Sequence, residues 1–547
     1  MSKLAGRSLL VLALLFGLVF GVGIGVMYYA EVPMAFAIVY TIVVVGLQYL
    51  AGPIVIECIF KIHWTAPSEV SAEFGQWYHD QCQRAGMRQP RFGIIPDGNP
   101  NAFAYGRTRR DARVVVTAGL LKILSPGEAQ AVVAHELGHI RHNDFIVMTV
   151  AQAATLLLYV IYCWVDRIRV SYAWLISLGA YAMYILSQYI VLMLSRTREF
   201  FADEASAKST GDPNLLSSAL IKICYGLAKS PAAATGPFAR RGRGAQPKEE
   251  GKKRNWIDAA GATSALGIAS ARDASGFAMT ASDAMGSFSD GAMADAMQWE
   301  LKNPWAKWFE LNSTHPLTAK RVLALSETAM RLGVEPCFKP ESRYSRLEYT
   351  GHFLREFLIY SLPVAGALAG VLFAGGPTAR RALMIGYGLI GFGIGRAIKA
   401  SMAYSRLGER VRTVRDLVGQ EINASPVTPV PCVVEGEIIG RGVPGLFYSP
   451  DLVLKDETGF IRTLYRQPLG SLTRSWFGIV EAERFIGDRV RIQGWYRRAQ
   501  APYLEIYRIE TNPGVGDTTH CYYSWWLLLS GFLAVLGGYL FIAFFAR

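Results

Sequence analysis

Apolar runs, each long enough to cross a bilayer, punctuate this chain. Leu9 to Tyr28, Met34 to Ile56, Phe145 to Val165, Tyr172 to Leu194 and Trp525 to Phe545 are 20 to 23 residues long and free of charge. At about 1.5 Å per residue, a helix of that length spans the roughly 30 Å hydrocarbon core. Phe357 to Ala374 is shorter but adequate. Ala382 to Gly395 holds 14 uncharged residues and crosses only if Arg396 and Lys399 snorkel. The Gly391-x-x-x-Gly395 spacing suits close helix packing and favours a span, with a buried or re-entrant helix as the alternative. The first run is too long for a signal-peptide core and a second follows at once, so it reads as an uncleaved anchor.

Three more polar stretches lie between these runs: Glu57 to Asp144, Ser195 to Glu356 and Lys399 to His520. In the last, the pattern changes to a period of two. Val433–Gly440, Leu452–Lys455, Phe460–Tyr465, Arg489–Tyr496 and Tyr503–Tyr507 read as five short strands separated by turn residues. Five such strands suit a small OB-like barrel. Residues 230–297 are rich in Ala, Gly and Ser, with a basic run from Arg240 to Arg254, and read as a mobile, solvated insertion, with lipid contact as the other reading of the basic run.

Composition agrees with a membrane protein. Apolar residues make up 51% and charged residues 18% of the 547, and mean hydropathy is +0.22. A disordered chain is excluded, and the charged fraction is low for a soluble one. The net charge of +13 fits either nucleic-acid binding or cytoplasmic loops obeying the positive-inside rule. Lys3 and Arg7 precede the first run, and ten Lys/Arg lie between Lys61 and Arg141, so the amino terminus and the stretch after the second run are expected in the cytoplasm. Arg167, Arg169, Arg380 and Arg381 fall in outside turns, which weakens this orientation without reversing it. The seven cysteines are scattered without a C-x-x-C pair, so neither a disulfide framework nor a cysteine zinc site is expected.

His135-Glu136-Leu137-Gly138-His139 carries the chemistry. Ser125 is a plausible N-cap, Pro126 fits the first helical position and Glu128 completes a capping box, so a helix is expected here independently of the motif. On a helix, His135 and His139 share a face and present two imidazole nitrogens to one Zn²⁺, with Glu136 beside the metal-bound water. Two surface histidines on a polar helix are the ordinary alternative. A third ligand is available in Glu199, and Asp203, one turn on, can accept a hydrogen bond from a ligand histidine. Two runs separate His139 from Glu199; that even number returns both to one side of the membrane.

These motifs, together with Asn101-Ala102-Phe103-Ala104-Tyr105-Gly106, Val114 to Leu121 and Thr314-His315-Pro316 with Arg321, resemble the HtpX-type integral-membrane zinc metalloproteases of gluzincin type and their relatives, the CAAX prenyl endopeptidases. The resemblance covers roughly residues 1–330. It implies a mostly α zincin-like catalytic domain with a small sheet at the cytoplasmic membrane surface. It also implies that Asn101, Ala102 and Phe103 form an edge strand that pairs with substrate, and that His315 and Arg321 steady the oxyanion.

The expected architecture is therefore an α-helical multi-span membrane protein with a C-terminal all-β barrel. Its parts are two spans in 1–56, catalytic stretches 57–144 and 195–356, hairpins 145–194 and 357–398, the barrel at 430–510 and a last span at 525–545. The expected activity is zinc-dependent cleavage of membrane or misfolded polypeptides at the cytoplasmic face, for quality control in a prokaryotic inner membrane. Two alternatives stay open: processing of lipidated or membrane-bound peptides, and a membrane scaffold with a structural zinc. Tyr465, Arg466, Trp495, Tyr496, Arg497 and Arg498 offer the barrel an aromatic and basic set for nucleic acid. Its tethering between spans favours a structural, membrane-associated or substrate-gating role, so nucleic acid is not the expected partner; the bilayer and polypeptides are. With no G-x-x-x-x-G-K-[ST] loop, an ATP-driven protease is disfavoured. The sequence leaves the oligomeric state open.

Overall fold

The computed structural model describes residues 27, 30–165, 173–225, 291–338, 346–375, 381–404, 407–418, 424–443, 449–468, 471–499, 501–512, 516 and 518–545. The run Leu9 to Tyr28, apart from Met27, lies outside these residues, as do the basic positions from Arg240 to Arg254. In chain order the elements that position the site begin with helix α1 (Met34–Ile59), strand β1 (His63–Thr65), α2 (Ala72–Arg84), β2 (Arg91–Ile95), β3 (Ala102–Gly106) and β4 (Ala112–Thr117). They continue with α3 (Pro126–Arg141), α4 (Asp144–Val165), α5 (Ala173–Thr210), α6 (Pro213–Tyr225), α7 (Gly291–Lys302), α8 (Pro304–Leu311) and α9 (Thr318–Arg331). After them come α10 (Arg346–Phe373), α11 (Arg381–Ala403), β5 (Val430–Arg441), β6 (Leu452–Lys455), β7 (Phe460–Leu464) and α12 (Ser471–Trp476). The chain closes with β8 (Arg489–Arg497), β9 (Tyr503–Thr511), β10 (Thr518–His520) and α13 (Tyr523–Phe545).

Six of these helices, α1, α4, α5, α10, α11 and α13, are long and apolar enough to cross a bilayer, and the protein is a multi-pass membrane protein. Helix α11 packs against both α10 and α13, and glycines set the closeness. A methyl built on Gly391 would lie 1.9 Å from the Gly366 carbonyl oxygen, so the two backbones touch directly. Arg396 and Lys399, expected to snorkel, find partners in the neighbouring helices: Arg396 Nε donates to Ser530 Oγ (2.6 Å) and Lys399 Nζ to the Tyr360 carbonyl (3.1 Å).

The small sheet has the order β1-β2-β4-β3. Strand β4 is central, parallel to β2 and antiparallel to β3, with Ala102 opposite Val116 and Gly106 opposite Ala112. Val114, Val115 and Val116 are fully buried, as a strand covered on both faces requires. Strand β3 is one of the sheet's two edges, β1 the other. Part of the expected mobile insertion is ordered: Gly291–Lys302 is helical, and Met297 and Trp299 bury there, anchoring the end of the Ala/Gly/Ser-rich stretch.

The carboxy-terminal strands close a barrel. Strands β5, β6 and β7 pair antiparallel in sequence, β7 pairs parallel with β9, β9 antiparallel with β8, and β8 antiparallel with β5. With α12 between the third and fourth barrel strands, this is the OB arrangement. The residues expected to suit nucleic acid are engaged inside the protein. Tyr465, Trp495, Tyr496, Arg497 and Arg498 are all buried. Arg497 Nε donates to Glu505 Oε2 (2.6 Å), Tyr404 Oη to Glu505 Oε1 (2.8 Å), and Arg466 lies 3.6 Å from the same carboxylate. The set ties the barrel to the end of α11.

Gly391→Ala is expected to lower stability by about 1–3 kcal/mol, read as a fall in thermal unfolding temperature in detergent. Gly537→Ala, where an added methyl meets nothing within 4 Å, should leave it unchanged or slightly higher.

Candidate metal centre

Helix α3 forms for the local reasons its sequence gives. Ser125 Oγ accepts from Glu128 N (3.4 Å) and Glu128 Oε2 from Ser125 N (2.8 Å), completing the capping box. Glu128 is held further by Lys222 Nζ at 2.8 Å and by Ser218 on α6. Helix α5 runs 38 residues without interruption, so the span ending near Leu194 continues straight into the segment bearing Glu199 and Asp203. The two helices cross where Gly138 faces Ala202; a methyl built on Gly138 would lie 3.1 Å from Ala202 Cα. The glycine inside the motif is thus what lets α5 approach. Ser206 Oγ, donating to the Ala131 carbonyl at 2.6 Å, fastens the crossing.

This crossing brings His135, His139 and Glu199 together, their candidate ligand atoms within 4.8 Å of one another. The Nε2 atoms of His135 and His139 lie 3.1 Å apart, and each is 3.6 Å from a Glu199 oxygen. Tetrahedral zinc with Zn–N near 2.05 Å separates two imidazole nitrogens by roughly 3.3 Å, so the spacing fits the ion. The far nitrogen of each ring is taken by a carboxylate: His135 Nδ1 lies 3.0 Å from Asp203 Oδ1, and His139 Nδ1 2.6 Å from Asp144 Oδ2. Such partners place the proton on Nδ1 and turn the Nε2 lone pair toward the centre.

Behind the ligands, Arg321 on α9 is buried and donates to both Asp203 oxygens (2.8 and 2.5 Å), with Nη1 3.1 Å from Glu199 Oε2. Burial lowers its pKa, but Asp203 and Glu199 outweigh this, so the guanidinium stays charged. His315 Nδ1 lies 3.0 Å from Glu199 Oε1. Its turn is pinned to α5 by Arg196 Nη1, which donates to the carbonyls of Glu310 (2.6 Å) and Ser313 (2.9 Å). Glu136 is buried and lines a cavity of about 20 Å³ with His135, Arg321, Leu220, Asn101 and Ala102, room for about one water. Of the three edge-strand residues expected to meet substrate, Asn101 and Ala102 reach this cavity. Phe103 instead packs against the rings of Phe60 and Tyr105.

Sequence reasoning missed Asp144. Asn143 has a left-handed φ of 56°, which ends α3 and starts α4 so that Asp144 turns back onto His139. Arg198 holds Asp144 from α5 and also donates to the His142 carbonyl (2.7 Å). The available signal was an Asn-Asp pair starting four residues after His139, where Asn favours a left-handed break. Burial lowers the His139 pKa, but Asp144, Glu199 and Glu136 together push it up to about 9, so the metal-free ring holds a proton at neutral pH.

Two outcomes are expected. Zinc loading at pH 7.5 should release a proton from His139, seen by calorimetry in buffers of different ionisation enthalpy; net proton uptake would contradict it. Asp144→Asn should weaken zinc binding about 10–100-fold in chelator competition.

Comparison with known proteins agrees with this centre. Residues 71–329 match Peptidase family M48. A Protease HtpX homolog from Methanothermobacter thermautotrophicus is 37% identical over 242 residues, 44% of this chain and 92% of that protein. Another, from Moorella thermoacetica, is 33% identical over 224 residues, 38% of this chain and 73% of its own. The crystal structure of S. mikatae Ste24p aligns at 18% identity and a TM-score of 0.30, covering 39% of this chain and 59% of that one, too distant to carry an argument. The chain belongs to Peptidase family M48 and, with its His-His-Glu cluster, is a zinc-dependent endopeptidase.

Proposed function

We propose that the protein cleaves membrane-associated or misfolded polypeptides at the cytoplasmic face of the membrane, as part of protein quality control. One observation carries this reading: the ligand helix is the direct continuation of a span. Glu199 follows Leu194, the end of the apolar run, by five positions, about 7.5 Å along the helix, which supports presentation of a scissile bond close to the bilayer surface. The surplus of Lys and Arg between Lys61 and Arg141 supports the cytoplasmic side.

His135, His139 and Glu199 would hold the zinc, with Asp203 and Asp144 orienting the two imidazoles. When bound, zinc polarises the scissile carbonyl and lowers the pKa of a coordinated water. Glu136 lines the water-sized cavity, which supports its role as the base that would accept that water's proton and pass it to the leaving amine. Asn101 and Ala102, at the start of edge strand β3, would pair with an extended peptide through their backbone. His315 and Arg321 bring donors beside Glu199 and are read as the groups that steady the oxyanion. Three protein ligands leave a tetrahedral ion one open position, which a purely structural zinc would not need.

Glu136→Gln should keep full zinc and lose cleavage of casein or of a reconstituted membrane protein by about 10²–10⁴-fold. Undiminished cleavage by that variant, with contaminating protease excluded, would refute the assignment. A requirement for a lipidated cysteine near the cut would move the reading to processing of lipid-modified peptides.

A further inference from the structure

The barrel lies outside the segment matched to the peptidase family, yet it touches the chain that leads into the substrate strand. Asn99 sits three residues before β3 and is completely buried. Its Nδ2 donates to the Arg441 carbonyl at 2.7 Å and to the Gly442 carbonyl at 3.3 Å, at the end of barrel strand β5. The backbones are in close contact around this bond. A methyl built on Gly440 would lie 2.4 Å from Asp97 Oδ1 and 3.0 Å from Asn99 N, and one built on Gly98 would lie 2.2 Å from the Ile439 carbonyl oxygen. The β5 bulge between Ile438 and Gly440 shapes this seat.

Both sides of the contact are fixed. Within the barrel, the buried Arg441 guanidinium donates to the Gly478 carbonyl (2.5 Å), and Gly442 N donates to the Asp451 carbonyl (2.6 Å). Toward the site, Asp97 Oδ1 accepts from Asn99 N (2.9 Å) and the Asp97 carbonyl from Gly119 N (2.9 Å). Two residues beyond Asn99, Asn101 exchanges hydrogen bonds with Thr117 (2.8 and 2.9 Å) and lines the cavity with His135 and Glu136. At its other end β3 is tied to the first described span: Arg107 Nε donates to the Leu50 carbonyl at 2.8 Å. The substrate strand is thus strung between the membrane and the barrel.

We propose that the barrel is a working part of the peptidase, and that Asn99 is the positioning residue through which it holds edge strand β3 in register with the metal centre. This rests on the proposed pairing of substrate with β3. An edge strand binds peptide through a row of main-chain groups, so holding its alignment matters in proportion to how many of those groups a substrate uses. Long extended peptides should depend on the barrel contact; peptides too short to run along β3 should not.

The test uses the full-length protein in detergent or proteoliposomes, loaded with zinc, and fluorogenic peptides of graded length sharing one cleavage site. Asn99→Asp keeps the size of the side chain and replaces its two N–H donors with oxygen facing carbonyls; Gly440→Ala wedges the same contact from the barrel side. Glu435→Ala, an exposed change on β5, serves as control. Expected is a rise of about tenfold in KM for the longest peptide in both variants, with the shortest peptide's kcat/KM and the zinc content unchanged and the control like wild type. An unchanged KM for the longest peptide would overturn the proposal, as would an equal loss at every length accompanied by lost zinc. Equal cleavage by wild type and Glu136→Gln would instead remove the protease reading itself, so the two failures are distinguishable.

Discussion

Buried charge is the constraint around which this molecule is arranged. Glu136, Asp144, Glu199 and Asp203 are four carboxylates taken out of water at the crossing of α3 and α5. Unpaired, each would cost several kcal/mol, roughly the stability margin of a whole domain. Two guanidinium groups meet them: Arg198, beside Glu199 on α5, and Arg321, brought in from α9. Two negative charges are left over, and a divalent cation, which His135, His139 and Glu199 would hold, would neutralise them. The elevated His139 pKa expresses the same demand: without the metal, a proton takes part of its place.

Meeting that demand sets the larger architecture. The third ligand reaches the first two because a hairpin of two spans returns the chain to the same surface, and because α5 leaves the bilayer without a break. Gly138 then allows the helix crossing to be close enough for three ligands to share one ion. The sheet adds an edge strand, β3, proposed to pair with substrate, and the barrel contacts the chain leading into it, at the end opposite its tie to α1. The glycine contacts of α10, α11 and α13 bring the barrel's two membrane tethers together, since it is inserted between α11 and α13.

Much of this was legible because it depends on short-range pattern. The capping box at Ser125, the i, i+4 histidines and the period-two runs of the barrel are local signals, and each element stands where its pattern places it. The candidate ligand Glu199 was legible from its i, i+4 spacing with Asp203, and the even number of spans between it and His139 is a global check that can be counted. What escaped depends on long-range packing or on a single torsion. Asp144 partners His139 only because Asn143 takes a left-handed turn. Arg497 and Arg498 look like free basic groups beside aromatics, but they are buried, and Arg497 finds Glu505 across the barrel. Asn99 and Arg441 are 342 residues apart, and nothing in either segment announces the other.

The identity of the atoms around the metal decides what this centre is. X-ray absorption at the zinc edge, recorded on the purified wild-type protein and on Glu199→Ala, tests this directly. The predicted wild-type spectrum is four-coordinate, with two imidazole nitrogens and two light oxygen scatterers, and Glu199→Ala should lose most of its zinc. Sulfur in the coordination shell, or an unaltered spectrum in the variant, would contradict a centre built from His135, His139 and Glu199.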